Sequence, residues 1–427
     1  MRLLLCFLLL SVPCHSQVET APTQSFLNLL GSVSAVRSAS IFPDRIKIYS
    51  PDAPPAFLDD QRFRAFAATD LSQGAIDTTL RHANDAYELW MGSPYYGKNQ
   101  AKAIYIMITG EDLEAGAIAN REYCDHLIDT GFAVADWCDP EMYIPYVTNG
   151  GAGISSMAPV EGFHLMIIAA KDGVIADGYK QMVYHEMFHI YQHSNVFTDS
   201  YDEVDSKMGR MSGDNPGELV AWWMEGHADF LSALYSRDAD GFKDEMRCAL
   251  ECTGPFSVSR KEKFFDEGLK LRNISWEQGD LVDLGYRMGS WFAAYLTSVH
   301  GEEALYEFWE TVDEMGFEDT FLRQFGVDYR TYLDEFEVWL RNPNEELYVI
   351  LDDIIARKTR GLSKTLPSEN DTSRRNTDSA IAGATDQSAT WDAASFRWEG
   401  FQHNSTTPAR KPVKTPWHEL SRAPVQE

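Results

Sequence analysis

Three residues set the chemical question. His185, Glu186 and His189 lie in the run His185-Glu186-Met187-Phe188-His189. A four-residue spacing on a helix puts two imidazoles on one face, about one turn apart, which suits two ligands of one metal ion. Glu186 is adjacent to the first histidine, where its carboxylate can reach a metal-held water without binding the metal itself. This is the HExxH arrangement. The neighbours Met182, Val183, Met187, Phe188, Ile190 and Tyr191 are uncharged, as a buried helix in front of a sheet requires.

A catalytic zinc needs a third protein ligand and one open position. A third histidine close downstream would need Gly at 192 and His at 195, but the chain has Gln192 and Asn195. His193 is two turns from His185, too far along the axis to share its metal, and reads as a surface or helix-end residue. The better candidate lies in Trp222-Trp223-Met224-Glu225-Gly226-His227-Ala228-Asp229-Phe230. A helical Glu225 can offer a carboxylate. Asp229, one turn later, can accept the free N–H of a metal-bound imidazole. His227 points about 200° away from Glu225 on a regular helix, so the two cannot serve one metal. The small Gly226 and Ala228 let this helix pack closely against the HExxH helix.

HEMFH followed by WWMEGHADF resembles the gluzincin metallopeptidases, and more loosely the collagenase-like and peptidase-MA-like members. The resemblance covers Arg45 to Arg341. Stretches around Gly285–Leu296, Gly301–Leu305 and Phe325–Val327 look like the helical C-terminal part of that group. It implies His185, His189 and Glu225 as Zn2+ ligands, Glu186 as general base, and an endopeptidase acting on peptide or protein substrates. Tyr286 is a candidate donor to the developing oxyanion, with a core tyrosine as the plain alternative. Thirty-five residues lie between His189 and Glu225, more than in compact members, and the polar segment Ser194–Gly217 can loop out to absorb them. An inactive peptidase-like binding module is the rival reading. An intact Glu186 argues against it.

The elements that must carry these residues follow from periodicity. Asp77–Trp90 has apolar residues at helical spacing. Arg45–Tyr49 holds a short strand, and Lys102–Ile108 and Phe163–Ile168 are strands rich in aliphatic residues. The segment between the last two is looser and contains glycine. The Phe163–Ile168 strand is expected to line the cleft and pair with an extended substrate. Helices are expected over Asp177–Gln192, from Glu218 to Arg237, and over Gly285–Val299, Glu302–Glu314, Phe317–Phe325 and Tyr329–Arg341. The fold class is therefore α+β and, by the resemblance, zincin-like. The domain plan is a leader over 1–16, a lead-in over 17–44, an α/β subdomain over 45–200 and a helical subdomain over 201–360. A disordered tail, in which no period survives, fills 361–427.

Composition bounds the rest. The chain has 427 residues and a formal net charge of -28, which would be repelled by nucleic acid. It would equally be repelled by an anionic membrane surface. Arg2, the apolar run Leu3–Val12 and Pro13-Cys14-His15-Ser16 read as a secretory leader cut near Ser16, too short to span a bilayer. The protein is thus expected to be secreted or periplasmic, with no membrane span. Four cysteines remain after such a cut. Local pairs, Cys124 with Cys138 and Cys248 with Cys252, are the first expectation, and free buried thiols the alternative.

Overall fold

The computed structural model describes residues 63–91, 103–131, 139–154, 162–170, 174, 177–198 and 200–365. The expected leader, the Arg45–Tyr49 strand and Cys138 lie outside the described residues, as does the tail from residue 366.

The architecture is mixed α and β. A four-stranded sheet has the order β1-β2-β4-β3, formed by β1 (Arg64–Ala67), β2 (Ala103–Thr109), β3 (Ala152–Ile154) and β4 (Phe163–Ala169). β1, β2 and β4 run parallel, and β3 returns antiparallel at the edge. β2 and β4 are buried at every position. Helices cover both of their faces, so the sequence there reads as continuous apolar runs and not as alternation. One face, with Ile104, Ile106, Ile108, Met166 and Ile168, packs on α1 (Gln73–Trp90) and α4 (Asp177–His193). The other face, with Tyr105, Met107, Leu165 and Ile167, packs on α2 (Leu113–Asp129) and α3 (Ile144–Asn149).

β4 is the strand expected to line the cleft and pair with substrate. It has β2 along its whole length on one side, and β3 beside Met166–Ile168 on the other. The edges of the sheet are β1 and β3. The looser region after β2 is corrected. It contains α2, capped by Asp112, whose carboxylate accepts from Glu114 N at 2.7 Å and Ala115 N at 3.0 Å. One of its glycines, Gly116, marks a close approach: a Cβ there would lie 2.7 Å from the Tyr143 ring.

α1 buries Ala75, Thr79, Ala83, Ala86 and Trp90, one stripe at helical spacing. Trp90 meets Tyr184 and Phe188 edge-on at 5.6 and 5.2 Å, which fixes α4 across the sheet. The remainder is helical: α5 (Tyr201–Lys207), α6 (Met224–Ser236), α7 (Ala239–Glu251), α8 (Arg260–Asp266), α9 (Val282–His300), α10 (Glu303–Met315), α11 (Phe317–Phe325), α12 (Tyr329–Leu340) and α13 (Asn344–Thr365).

The helix expected from Glu218 starts only at Met224. Leu219–Ala221 before it pair with distant backbone, and Trp222 and Trp223 form a turn into the helix. Val220 N donates to Arg210 O at 2.7 Å, Ala221 N to Ile274 O at 3.3 Å, and Leu219 O accepts from Trp276 N at 3.0 Å. Tertiary pairing overrides helix propensity there. α7, α8 and α13 were not anticipated, and α13 runs past residue 360, where the tail was expected to begin. Cys248 and Cys252 form a disulfide as expected. Cys124 is also disulfide-bonded, while its expected partner Cys138 lies outside the described residues. Among the described residues no helix is long and apolar enough to cross a membrane.

Candidate metal centre

α4 and α6 pack directly together, with α9 on the far side of α6. Gly226, expected to ease the contact with α4, instead meets α9. A Cβ on Gly226 would overlap the backbone of Gly289, and one on Gly289 would overlap the Trp222 carbonyl. The two glycines let α6 and α9 cross backbone to backbone. That crossing brings Tyr286 and Arg287 of α9 beside Glu225 and Asp229 of α6.

His185, His189 and Glu225 converge, each offering one ligand atom within 4.8 Å of the others. The two Nε2 atoms are 2.9 Å apart, and Glu225 Oε2 is 3.1 Å from that of His185 and 3.0 Å from that of His189. The other ring nitrogens identify the tautomers. His185 Nδ1 lies 3.0 Å from Asp229 Oδ1. His189 Nδ1 lies 2.7 Å from Gln192 Oε1, and the amide of Gln192 donates to Met224 O at 3.0 Å. Both partners of the Nδ1 atoms are acceptors, so both Nδ1 atoms carry protons. In the neutral rings the Nε2 lone pairs then face each other and the Glu225 carboxylate. Three converging lone pairs in a buried place call for a cation, and two imidazoles with one carboxylate suit a divalent metal ion.

The electrostatics favour a positive charge at this point, carried either by a proton on His185 or by a bound cation. Burial disfavours the imidazolium of His185, but hydrogen bonds to Asp229 and Glu225 outweigh it and raise its pKa to about 10. Burial would likewise raise Glu225, but His189 and His185 hold its carboxyl well below the usual range. Asp229 is also held low against burial, first by Arg287 and then by His185. Carboxylates thus surround the site with charge that favours a bound cation.

Glu186 is buried beside this trio. Its pKa is raised, first by burial and further by Glu225 and Asp229, with the two imidazoles opposing. A carboxylate raised towards neutrality is a stronger base than an exposed one. Tyr286 stacks its ring near that of His185, with centroids 6.1 Å apart, and its phenol lies close enough to Glu225 to feel the carboxylate's charge. Burial, then the charges of Glu225, Asp229 and Glu186, push the Tyr286 hydroxyl well above its ordinary value, so it stays a donor.

The structure therefore brings together His185, Glu186, His189, Glu225, Asp229 and Tyr286. His193 is corrected: it ends α4, but it is buried and its ring faces His164 at 6.4 Å. His227 stays apart from the trio, packed on Trp223 with ring centroids 4.0 Å apart. Sequence reasoning missed two supports. Gln192 was read only as an obstacle to a third histidine, although its place three residues after His189 carried the signal. Arg287 adjoins Tyr286, and nothing in the sequence ties it to Asp229. The chain matches no family model and no curated protein.

Proposed function

We propose that this chain is a secreted zinc peptidase of zincin-like fold and gluzincin type, cleaving peptide bonds with Glu186 as general base. One observation carries the reading: a buried His185–His189–Glu225 trio with both Nδ1 atoms held by acceptors, and a separate buried carboxylate alongside. A metal with only a structural role needs a closing fourth ligand and has no use for Glu186.

His185, His189 and Glu225 would hold the zinc. Bound there, it supplies Lewis acidity to a water and to the scissile carbonyl. Glu186 takes one proton from the attacking water as its oxygen bonds to the carbonyl carbon. The Tyr286 hydroxyl donates to the oxyanion that develops. Glu186 then delivers the proton to the amide nitrogen as the C–N bond breaks, leaving a carboxylic acid and an amine. Asp229 and Gln192 keep the imidazoles in the orientation this requires. The β3 edge offers backbone groups to an extended peptide. The leader-like N-terminus and the disulfides support a location in an oxidising compartment.

The test is zinc content together with cleavage of casein or a peptide library. Wild type should bind one zinc per chain and cleave in an EDTA-sensitive way. Zinc-loaded protein that cuts no peptide would count against the enzyme, and in favour of a peptidase-like binding module.

A further inference from the structure

Asp229 uses only one carboxylate oxygen on His185. The other, Oδ2, accepts from Arg287 at 3.0 Å. Arg287 is itself part-buried among acids: the nitrogen that holds Asp229 also lies 3.2 Å from Glu245 Oε1, and its Nε lies 3.8 Å from Asp283 Oδ1. Each acid has a second cation. Arg237 bonds Glu245 at 3.0 Å, and Arg260 bonds Asp283 at 2.6 Å. Both arginines are anchored further. Arg237 Nε donates to Gln181 Oε1 at 2.5 Å, and Gln181 sits one turn before His185 on α4. Arg260 Nη1 donates at 3.0 Å to the carbonyl of Cys248, a half of the disulfide.

We propose that Arg287 is a positioning residue for the metal centre, acting on His185 only through Asp229. The chain of contacts leaves α4 at Gln181, crosses Arg237, Glu245, Arg287 and Asp229, and returns to α4 at His185. Three arginines alternate with three carboxylates along this network, so its charge is balanced without drawing on the ligands. The guanidinium is planar, and through Asp229 and Glu245 it ties α9 to α6 and α7 in one geometry. Asp229 alone is a short side chain with a free rotation. With Oδ2 held by Arg287, Oδ1 is directed at His185 Nδ1, and His185 Nε2 is thereby aimed at the ligand trio. Groups that orient a metal-bound imidazole carry about 10- to 100-fold in metal affinity.

The inference rests on the metal-centre reading, and one titration separates the two. Zn2+ is titrated against a chromophoric chelator into the full chain and its R287M, D229N and R287M/D229N variants. R287M and D229N should each weaken zinc binding about tenfold. The double variant should be no weaker than D229N, because Asp229 is the contact through which Arg287 reaches a ligand side chain; the route through Glu245 and Arg237 ends on Gln181, one turn away. R287K keeps the charge but not the planar geometry and should fall between wild type and R287M. If R287M does not fold, as read by circular dichroism, R287K decides by the same criterion. Zinc binding by R287M within twofold of wild type, or losses that multiply in the double variant, overturns the positioning role while the metal centre stands. A wild-type chain that takes up no zinc overturns both.

Discussion

Gly289→Ala is the sharpest probe of the packing that assembles the site. A Cβ at 289 would overlap the Trp222 carbonyl oxygen and sit 3.1 Å from the Cα of Gly226. Both neighbours are backbone, so no side chain can rotate away. To restore ordinary separations of ~3.5 Å, α9 would have to part from α6 by roughly 1 Å. Overpacking of this kind costs about 1–3 kcal/mol. Here the upper end is expected, because this crossing is the most extensive contact between helices among the described residues. The same shift carries Tyr286 and Arg287 away from Glu225 and Asp229, so zinc affinity should fall with stability. Gly74→Ala is the matched control. A Cβ at Gly74 meets only the Ser72 hydroxyl at 3.9 Å, on the exposed first turn of α1. Ala there should stabilise by about 0.5–1 kcal/mol through the reduced backbone entropy of the unfolded chain. Urea unfolding of wild type and both variants measures the two effects. A Gly289→Ala loss no larger than the error of the Gly74→Ala measurement would refute the backbone-to-backbone crossing.

Two further outcomes follow from buried polar groups. Burial lowers His164 from 6.5 to about 3, so below 6.5 the unfolded chain takes up a proton that the folded chain refuses, and stability is lost as pH falls. At about pH 5 this amounts to about 2 kcal/mol, and His164→Leu should lose that much less than wild type between about pH 7.5 and 5 in urea unfolding. An equal loss in both proteins would exclude His164 as the source. Gln192→Leu removes the acceptor for His189 Nδ1 and the donor to Met224 O. It should weaken zinc binding by about tenfold in a chelator competition, and unchanged affinity would deny Gln192 its orienting part.

The ligand trio was legible in the sequence because helical spacing is a local property. His185 and His189 share a face by arithmetic, and so do Glu225 and Asp229. The strands at 103–109 and 163–169 were legible as unbroken apolar runs. What escaped depended on distant partners. The order of the strands decides that β4 is internal and that β1 and β3 form the edges, and no local pattern encodes that order. Glu218–Trp223 has helical composition, yet Leu219–Ala221 pair with Arg210 and with residues 274–276. Gly226 looked like a contact with the HExxH helix and proved to face Gly289, sixty-three residues on. α7 does carry an apolar stripe, Phe242, Met246, Ala249 and Leu250, that its spacing made readable, while Arg287 acquires its meaning only through three acids on three segments.

The most direct measurement compares wild type with Glu186→Gln for zinc content and peptide cleavage in one preparation. The account predicts one zinc per chain in both, cleavage by wild type that EDTA abolishes and zinc restores, and cleavage lost in the variant. Zinc retention with undiminished cleavage in Glu186→Gln, or a wild type without zinc that still cleaves, would contradict it.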